Sequence, residues 1–484
     1  MTSCVWVIAG SDNSGEAGIQ ADLKTLQDFN VRACTIVTAI TAQNRYAVQE
    51  IYYLPQQILQ QQIHSLLEHS PAQILKLGMQ GELPPILDLL KHFSGKVVCD
   101  PVIKSSSGYP LLLDIDFFIK NIFPCVDLLT PNVTEAEQLT KMNINSYADF
   151  PRVAQKLLQL GVKSVYLKGG HFNDPTFSQD YFSDGTESFW LSHKRIKNRK
   201  VRGTGCTLAS AIAAGLALQY SLKDALVIAK MYLQQEIALS IDGHMRRCGF
   251  PTSGDYFPYL ATEPMHNQPL PFVNCGPTPL GIYPVVDSSS WVLRLAKAGA
   301  SAIQLRIKEG NSSTIQQEIK SAVQISREYS CRLFINDYWQ WAIQYGAYGV
   351  HLGQEDIFHA DFSAIYKANL RLGLSSHCFY EVARAHALRP SYLACGPIFA
   401  TTSKTMLFSP QGLERLRYWQ QLSLYPLVAI GGINLDNVSA VADSGVNGIA
   451  MISAILFAEN PIAVMNQLHE RSYARTLLTT NCIA

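Results

Sequence analysis

Short apolar runs alternate, through the first half of the chain, with longer stretches in which apolar residues return every three or four positions. VWVIAG (5–10), CTIVTAI (34–40), ILKLGM (74–79), KVVCD (96–100), VDLLTPN (126–132) and SVYLKGG (164–170) read as strands. AGIQADLKTLQDF (17–29) and PILDLLKHF (85–93) read as helices between them. Strand–helix alternation of this kind predicts an α/β fold with a doubly wound, mainly parallel sheet. The pattern breaks at PTSGDYFPYLATEPMHNQPLPFVNCGPTPLG, from residue 251 onward, which is rich in proline and holds no sustained period. Such a segment reads as a semi-rigid spacer. The chain therefore divides into a domain at 1–255, a proline-rich linker at 256–279 and a second domain at 280–484.

Beyond the break the strands can be counted. GIYPVVD, SAIQLRIK, RLFIND, YGVHLG, RLGLSS, YLACGPIF, LVAIGGI and GIAMISAI are eight runs with helical segments between most of them. Eight β/α units of this length predict a closed (β/α)8 TIM barrel, whose site lies at the C-terminal ends of its strands.

Composition narrows the partners. The 484 residues carry a formal net charge of +1, with 48% hydrophobic and 16% charged residues. Nothing in that balance points to nucleic acid. No run approaches the roughly 20 apolar residues that span a bilayer, and MTSCVWVIAGSD has no signal-peptide pattern. The 11 cysteines are scattered, with no CxxC pair. Reduced thiols, and with them a cytoplasmic location, are the expectation.

The chemistry collects at strand ends, where open α/β sheets bind ligands. AGSDNSGEAGIQADLKTL (9–26) places a glycine-rich turn after the first strand. LKLGM, CDPV (99–102), TPNVTEAE (130–137) and KGGH (168–171) follow later ones. Asn132 and Glu135 stand three apart, on one side of a helical turn, where Glu135 would either hold Mg2+ through water or only favour the helix dipole. VRGTGCTLASAIAAG (201–215) carries the sharpest signal. Gly203 and Gly205 permit positive φ, and the helix that follows aims unpaired N–H groups into the loop, an anion hole for a transferring phosphoryl group. Cys206 falls where many sugar kinases place an aspartate. A thiol at a helix N-terminus is expected to have its pKa drawn downward.

Together these motifs resemble the ribokinase-like superfamily and, within it, hydroxymethylpyrimidine/phosphomethylpyrimidine kinase, across roughly residues 3–250. The resemblance implies ATP as co-substrate and an aminopyrimidine alcohol phosphorylated twice. It implies a pyrimidine pocket of Asp22, Gln43, Met79 and Val102, with Lys168, Asn132, Glu135, Gly203 and Gly205 toward ATP phosphates and Mg2+, and Cys206 beside the acceptor oxygen. Two positions depart from the family pattern: Glu16, often glycine there, and Arg202, often histidine. Arg202 is left either contacting phosphate or facing solvent.

In the barrel, Gln304, Arg306 and Lys308 stand two apart on one strand face, and an interior cation pair requires an anion. Asn336 and Asp337 end the third strand, and HLGQED reaches Asp356 after the fourth. Two carboxylates on neighbouring strands suit Mg2+, with helix capping as their plainer role. GPIFATTSKT (396–405), AIGGI and MIS follow strands six, seven and eight. Amides after strands seven and eight commonly form a phosphate cup.

This half resembles thiamine phosphate synthase over roughly 280–480. The resemblance implies Mg2+ on Asp337 and Asp356, and Arg306, Lys308 and Lys404 stabilising departing pyrophosphate. Ser375 would contact the pyrimidine or its pyrophosphate, with Gln304 and Asn336 in the substrate site. The thiazole phosphate would lie against Gly432, Ile452 and Ser453, with Thr401 and Ser403 nearby. The first half would make the pyrophosphate that the second consumes. The implied partners are small molecules only, with neither nucleic acid nor membrane, in a homo-oligomer.

Overall fold

The computed structural model describes residues 3–473, apart from 45, 82, 106, 173, 198–200 and 402–408. They form two compact units: residues up to 251 with 256–268, and 252–255 with the residues from 269 onward.

The first unit is built on one sheet. Its strands are β1 (Cys4–Asp12), β2 (Arg32–Gln43), β3 (Val48–Tyr53), β4 (Ile74–Leu77), β5 (Lys96–Cys99), β6 (Leu128–Leu129), β7 (Val165–Leu167), β8 (Phe177–Ser183), β9 (Ser188–Lys194) and β10 (Tyr259–Ala261). Their order is β10-β9-β8-β7-β6-β5-β4-β1-β2-β3. The centre, from β7 through β4 and β1 to β2, is parallel. Both flanks are antiparallel: β3 on one side, β8 to β10 on the other. The helix Gly18–Asp28 carries the crossover from β1 to β2, and Thr204–Ala217 covers the face of β1, β4 and β5. Strands so covered read as unbroken apolar runs, because neither face meets water. Lys76 is the exception within β4, fully buried in a run otherwise isoleucine and leucine.

All six predicted strands are present here, and the four antiparallel ones are additions. One of them corrects the linker: Tyr259–Ala261 lies inside the segment read as structureless, yet pairs with Trp190–Ser192 of β9. A three-residue strand is too short to leave a period between prolines.

The second unit is a closed barrel of eight parallel strands: β11 (Gly281–Val286), β12 (Ala302–Leu305), β13 (Arg332–Asn336), β14 (Gly349–Leu352), β15 (Arg371–Ser376), β16 (Tyr392–Cys395), β17 (Leu427–Ile430) and β18 (Gly448–Met451). Each falls on one of the eight predicted runs. Closure comes from pairing of β18 with β11, Gly281 beside Gly448. Its interior is packed by Tyr283, Phe334 and Tyr392, edge to face at 5.3–6.1 Å. Glycines on neighbouring strands make the room. A Cβ on Gly373 would lie 2.1 Å from the Tyr392 ring, and one on Gly349 would lie 2.5 Å from Phe334. Large rings opposite absent side chains fill the barrel without strain.

Candidate functional site

In the first unit a cavity of about 770 Å³ opens at the C-terminal ends of the parallel strands. Gln43, Met79, Val102, Asn132, Glu135, Lys168, Gly203, Gly205 and Cys206 all line it. Residues read from five separate motifs, together with Gln43 at the end of β2, thus converge on one space.

Asp22 does not join them. It is fully buried behind the wall, accepting hydrogen bonds from Lys76 Nζ at 2.9 Å and Ser210 Oγ at 2.7 Å. Its helix turns it toward the lysine of β4, because neither buried charge would be tolerable without the other. Lys76 itself does reach the cavity. Burial opposes its charge, but Asp22, Cys206 and Asp100 outweigh that and hold the ammonium above its ordinary range.

Asp100 is the residue that the sequence reading missed. It lines the cavity at the end of β5 and accepts from Lys168 Nζ at 2.8 Å. Burial pushes its carboxyl up, yet Lys168 and Lys76 prevail and keep it ionised below the usual carboxylate range. Gly205 is what lets the loop close on this pair, since a Cβ there would lie 3.2 Å from Lys168 Nζ. Gly203 caps the helix at φ 73°, a conformation costly to any residue with a Cβ.

Asn132 and Glu135 form a reciprocal capping box. Asn132 Oδ1 accepts from the Glu135 N–H at 2.9 Å, and Glu135 Oε2 from the Asn132 N–H at 2.8 Å. The plainer reading of Glu135 is therefore realised, while the side chain still lines the cavity. Burial raises it to about 7, against Lys168.

The cysteine requires a correction. Burial pushes the Cys206 thiol up to about 12, not down. Lys76 and the Gly18 N–H pull the other way, but Asp100 and Asp22 add to the rise. Cys206 is a neutral thiol that donates to Asp100.

In the barrel, the side chains gather at the C-terminal rim. β12 ends at Leu305, so Arg306 and Lys308 leave the strand rather than forming an interior pair. Arg306 is half-buried, and Lys308 is exposed with its Nζ 2.7 Å from Asp337 Oδ2. Asp337 adopts φ 65° and hydrogen-bonds Asp356 side chain to side chain. Burial, then the Asp337 charge, raises Asp356 above the usual range. Gln304 and Asn336 are buried. Gln304 Nε2 donates to Tyr283 Oη at 3.4 Å, starting a chain that passes to Tyr392, His351 and Ser375. His351 is held at about 4 by burial, which Arg306 reinforces. The sequence reading quoted His351 inside HLGQED without assigning it.

A Cβ on Gly432 would lie 2.5 Å from the Ala400 carbonyl oxygen, so the loop after β17 packs on the loop leading to Thr401. Ile452 and Ser453 follow β18, at the start of the helix Ser453–Leu456. Ser403 and Lys404 lie outside the described residues. Among the described residues no three histidine, cysteine or carboxylate side chains cluster as a metal site, so Asp337 and Asp356 stand as a pair.

A doubly wound sheet with a glycine loop at its cavity, followed by a barrel with a charged rim, defines a chain of two enzyme domains. Comparison with known proteins gives the particulars. The phosphomethylpyrimidine kinase family pattern matches residues 12–247, and that of thiamine monophosphate synthase matches 282–455. The thiamine biosynthetic bifunctional enzyme TH1 of Arabidopsis thaliana, a chloroplastic protein, is 32% identical over 96% of this chain and 92% of its own length. A probable bifunctional counterpart from Oryza sativa is 31% identical over 95% and 87%. The thiamine-phosphate synthase of Serratia proteamaculans is 52% identical over 40% of this chain and 91% of its own. The chain belongs to the thiamine biosynthetic bifunctional enzymes, with a phosphomethylpyrimidine kinase domain and a thiamine-phosphate synthase domain. Its kinase half takes ATP as co-substrate.

Proposed function

We propose that the first unit phosphorylates hydroxymethylpyrimidine and then its monophosphate, and that the second condenses the resulting pyrophosphate with hydroxyethylthiazole phosphate, giving thiamine phosphate and pyrophosphate. The observation that carries the first step is the convergence of Gln43, Lys168, Gly205 and Cys206 on one cavity. Gln43 would orient the aminopyrimidine through its amide. Lys168 and the loop amides would hold ATP phosphates, where charge spreads during transfer.

In the barrel, pyrophosphate would leave the pyrimidine methylene with Arg306, Lys308 and Lys404 countering its charge. An unprotonated thiazole nitrogen captures the carbon, so no base is required. The neutral His351, Tyr392, Tyr283 and Gln304 chain would fix Ser375 against the pyrimidine. Gly432, Ile452 and Ser453, with Thr401 and Ser403, would take the thiazole phosphate.

The donor chemistry fits Mg2+. Asp337 and Asp356 are oxygen donors pressed together against their mutual repulsion, and Mg2+ binds with few protein ligands and several waters. When bound it would neutralise charge on the leaving pyrophosphate, and Glu135, with Asn132, would serve a second ion beside ATP.

All ten described cysteines are free, which supports the cytoplasmic reading. No helix among the described residues is long and apolar enough to cross a membrane. Ile40, Tyr46 and Tyr52, exposed on and beside the edge pair β2 and β3, support a homo-oligomer.

The test is a coupled assay: full-length chain, hydroxymethylpyrimidine, ATP, Mg2+ and thiazole phosphate, with thiamine phosphate measured by fluorescence after oxidation. Product is expected. Its absence from folded protein, or faster ATP turnover with pyridoxal than with hydroxymethylpyrimidine, would overturn the reading.

A further inference from the structure

Two loops meet beside the kinase cavity. The turn after β1 and the loop entering the helix Thr204–Ala217 touch backbone to backbone, for a Cβ on Gly203 would lie 2.0 Å from the Glu16 carbonyl oxygen. Over this contact the Arg202 guanidinium faces the Glu16 carboxylate at 3.4 Å, with side chains only 16% and 14% exposed. His244 meets the other Glu16 oxygen at 2.7 Å. Arg202 lines the cavity beside Gly203 and Cys206, and Glu16 is not among the lining residues. Of the two roles left open for Arg202, facing solvent is excluded. The two departures from the family pattern are thus each other's ionic partners.

Apart from Lys104, which is exposed, the other lysines and arginine of the cavity are already spent. Lys76 lies 2.9 Å from Asp22, Lys168 2.8 Å from Asp100 and Lys230 2.5 Å from Asp180. Arg195 donates to the carbonyls of Gly170, Phe172, Asp174 and Phe177. Arg202 differs. Its Nε and Nη1, and Glu16 Oε2, are buried without a hydrogen-bond partner. The pair attracts through charge alone, in a geometry that leaves the donors unfilled. Buried donors of this kind are unfavourable until something accepts from them, and the planar fork of arginine matches phosphate oxygens.

We propose that Arg202 determines acceptor specificity in the kinase half: it grips the phosphate of an acceptor that is already a phosphomonoester. Glu16 holds the guanidinium in place, and damps its charge, when the acceptor is the uncharged alcohol. This rests on the two-step kinase reading and adds to it. The alcohol brings no anion to the acceptor end of the cavity, so Arg202 contributes mainly to the second phosphorylation.

The experiment compares kcat/KM of full-length protein for hydroxymethylpyrimidine and for its monophosphate, each assayed separately with ATP and Mg2+. Arg202→Ala is expected to lower the monophosphate value by about 10- to 100-fold, chiefly in KM, as losing one charge-assisted contact does. The alcohol value is expected to fall less than about threefold, and Arg202→Lys to recover part of the loss. Glu16→Gln is expected to lower KM for the monophosphate by about threefold, because the competing charge is gone. Equal losses on both acceptors in Arg202→Ala, or an unmoved monophosphate KM in Glu16→Gln, overturn the proposal. Should Arg202→Ala not fold, Arg202→Lys and Glu16→Gln carry the same comparison. A native chain that phosphorylates neither acceptor sinks the kinase reading instead.

Discussion

Cys206 donates a hydrogen bond to Asp100 and keeps its proton at neutral pH, so the thiol is not the base that an aspartate would be in its place. Its value lies in being neutral. Asp22 and Asp100 already set two carboxylates near Lys76, and a third at position 206 would repel an anionic acceptor, more strongly as water is excluded. Cys206→Asp is therefore expected to retain appreciable phosphorylation of the alcohol while losing most activity, about 100-fold, on the monophosphate. Cys206→Ser, which keeps a neutral donor to Asp100, is expected to stay within about tenfold on both. Steady-state kinetics with each acceptor check this, and equal losses in Cys206→Asp would refute it. The sequence exposed Cys206 because Gly203 and Gly205, just before it, announce a loop. Asp100 and Lys76 were hidden in strand ends, where a charge inside an apolar run gives no sign of its partner. Asp22 was visible but misplaced, since only the fold reveals that it lies beneath Lys76.

At the scale of elements, the parallel strands were legible and the antiparallel ones were not. Buried on both faces, β1 and β5 are apolar runs and β4 is one broken only by Lys76; FSQDYFS and SFWLSHK, forming β8 and β9, interrupt theirs with polar residues. In the barrel every strand was readable, but the polar chain within it was not, because its members come from five different strands. That interior sets a pH dependence. His351 and His386 are buried, and burial holds both at about 4 against an ordinary 6.5. Between those values the unfolded chain binds protons that the folded barrel refuses, so stability is full above 6.5 and falls as pH drops toward 4. The slope is about 1.4 kcal/mol per pH unit for each histidine, or about 3 kcal/mol each across the window. Urea midpoints of barrel peptides, read by pulse proteolysis at pH 7, 5.5 and 4.5, are expected to fall accordingly. His386→Gln, which replaces the ring beside Tyr425, should halve the slope. A slope unchanged by that substitution would reject the assignment.

For the molecule as a whole, the question is whether two enzymes in one chain need each other. Every residue lining the kinase cavity lies between 9 and 237, inside the first unit. The charged rim of the barrel, from Gln304 to Ser453, lies inside the second. The described residues named at each site come from that site's own unit. A tether between them raises the local concentration of the intermediate only where geometry permits, and it adds nothing to the chemistry of either site. The pyrophosphate released by one molecule is therefore expected to serve the barrel of another. Lys168→Ala, lacking the cation proposed to face ATP, should make no thiamine phosphate from hydroxymethylpyrimidine but should make it from added pyrimidine pyrophosphate. Asp337→Ala, lacking a carboxylate of the proposed Mg2+ pair, should accumulate the pyrophosphate and stop there. Mixed in equal amounts, the two full-length variants should regain at least about a third of the native rate once the intermediate has built up. Recovery below about a twentieth, with each variant still active in its intact half, would mean that the intermediate must pass within a single chain.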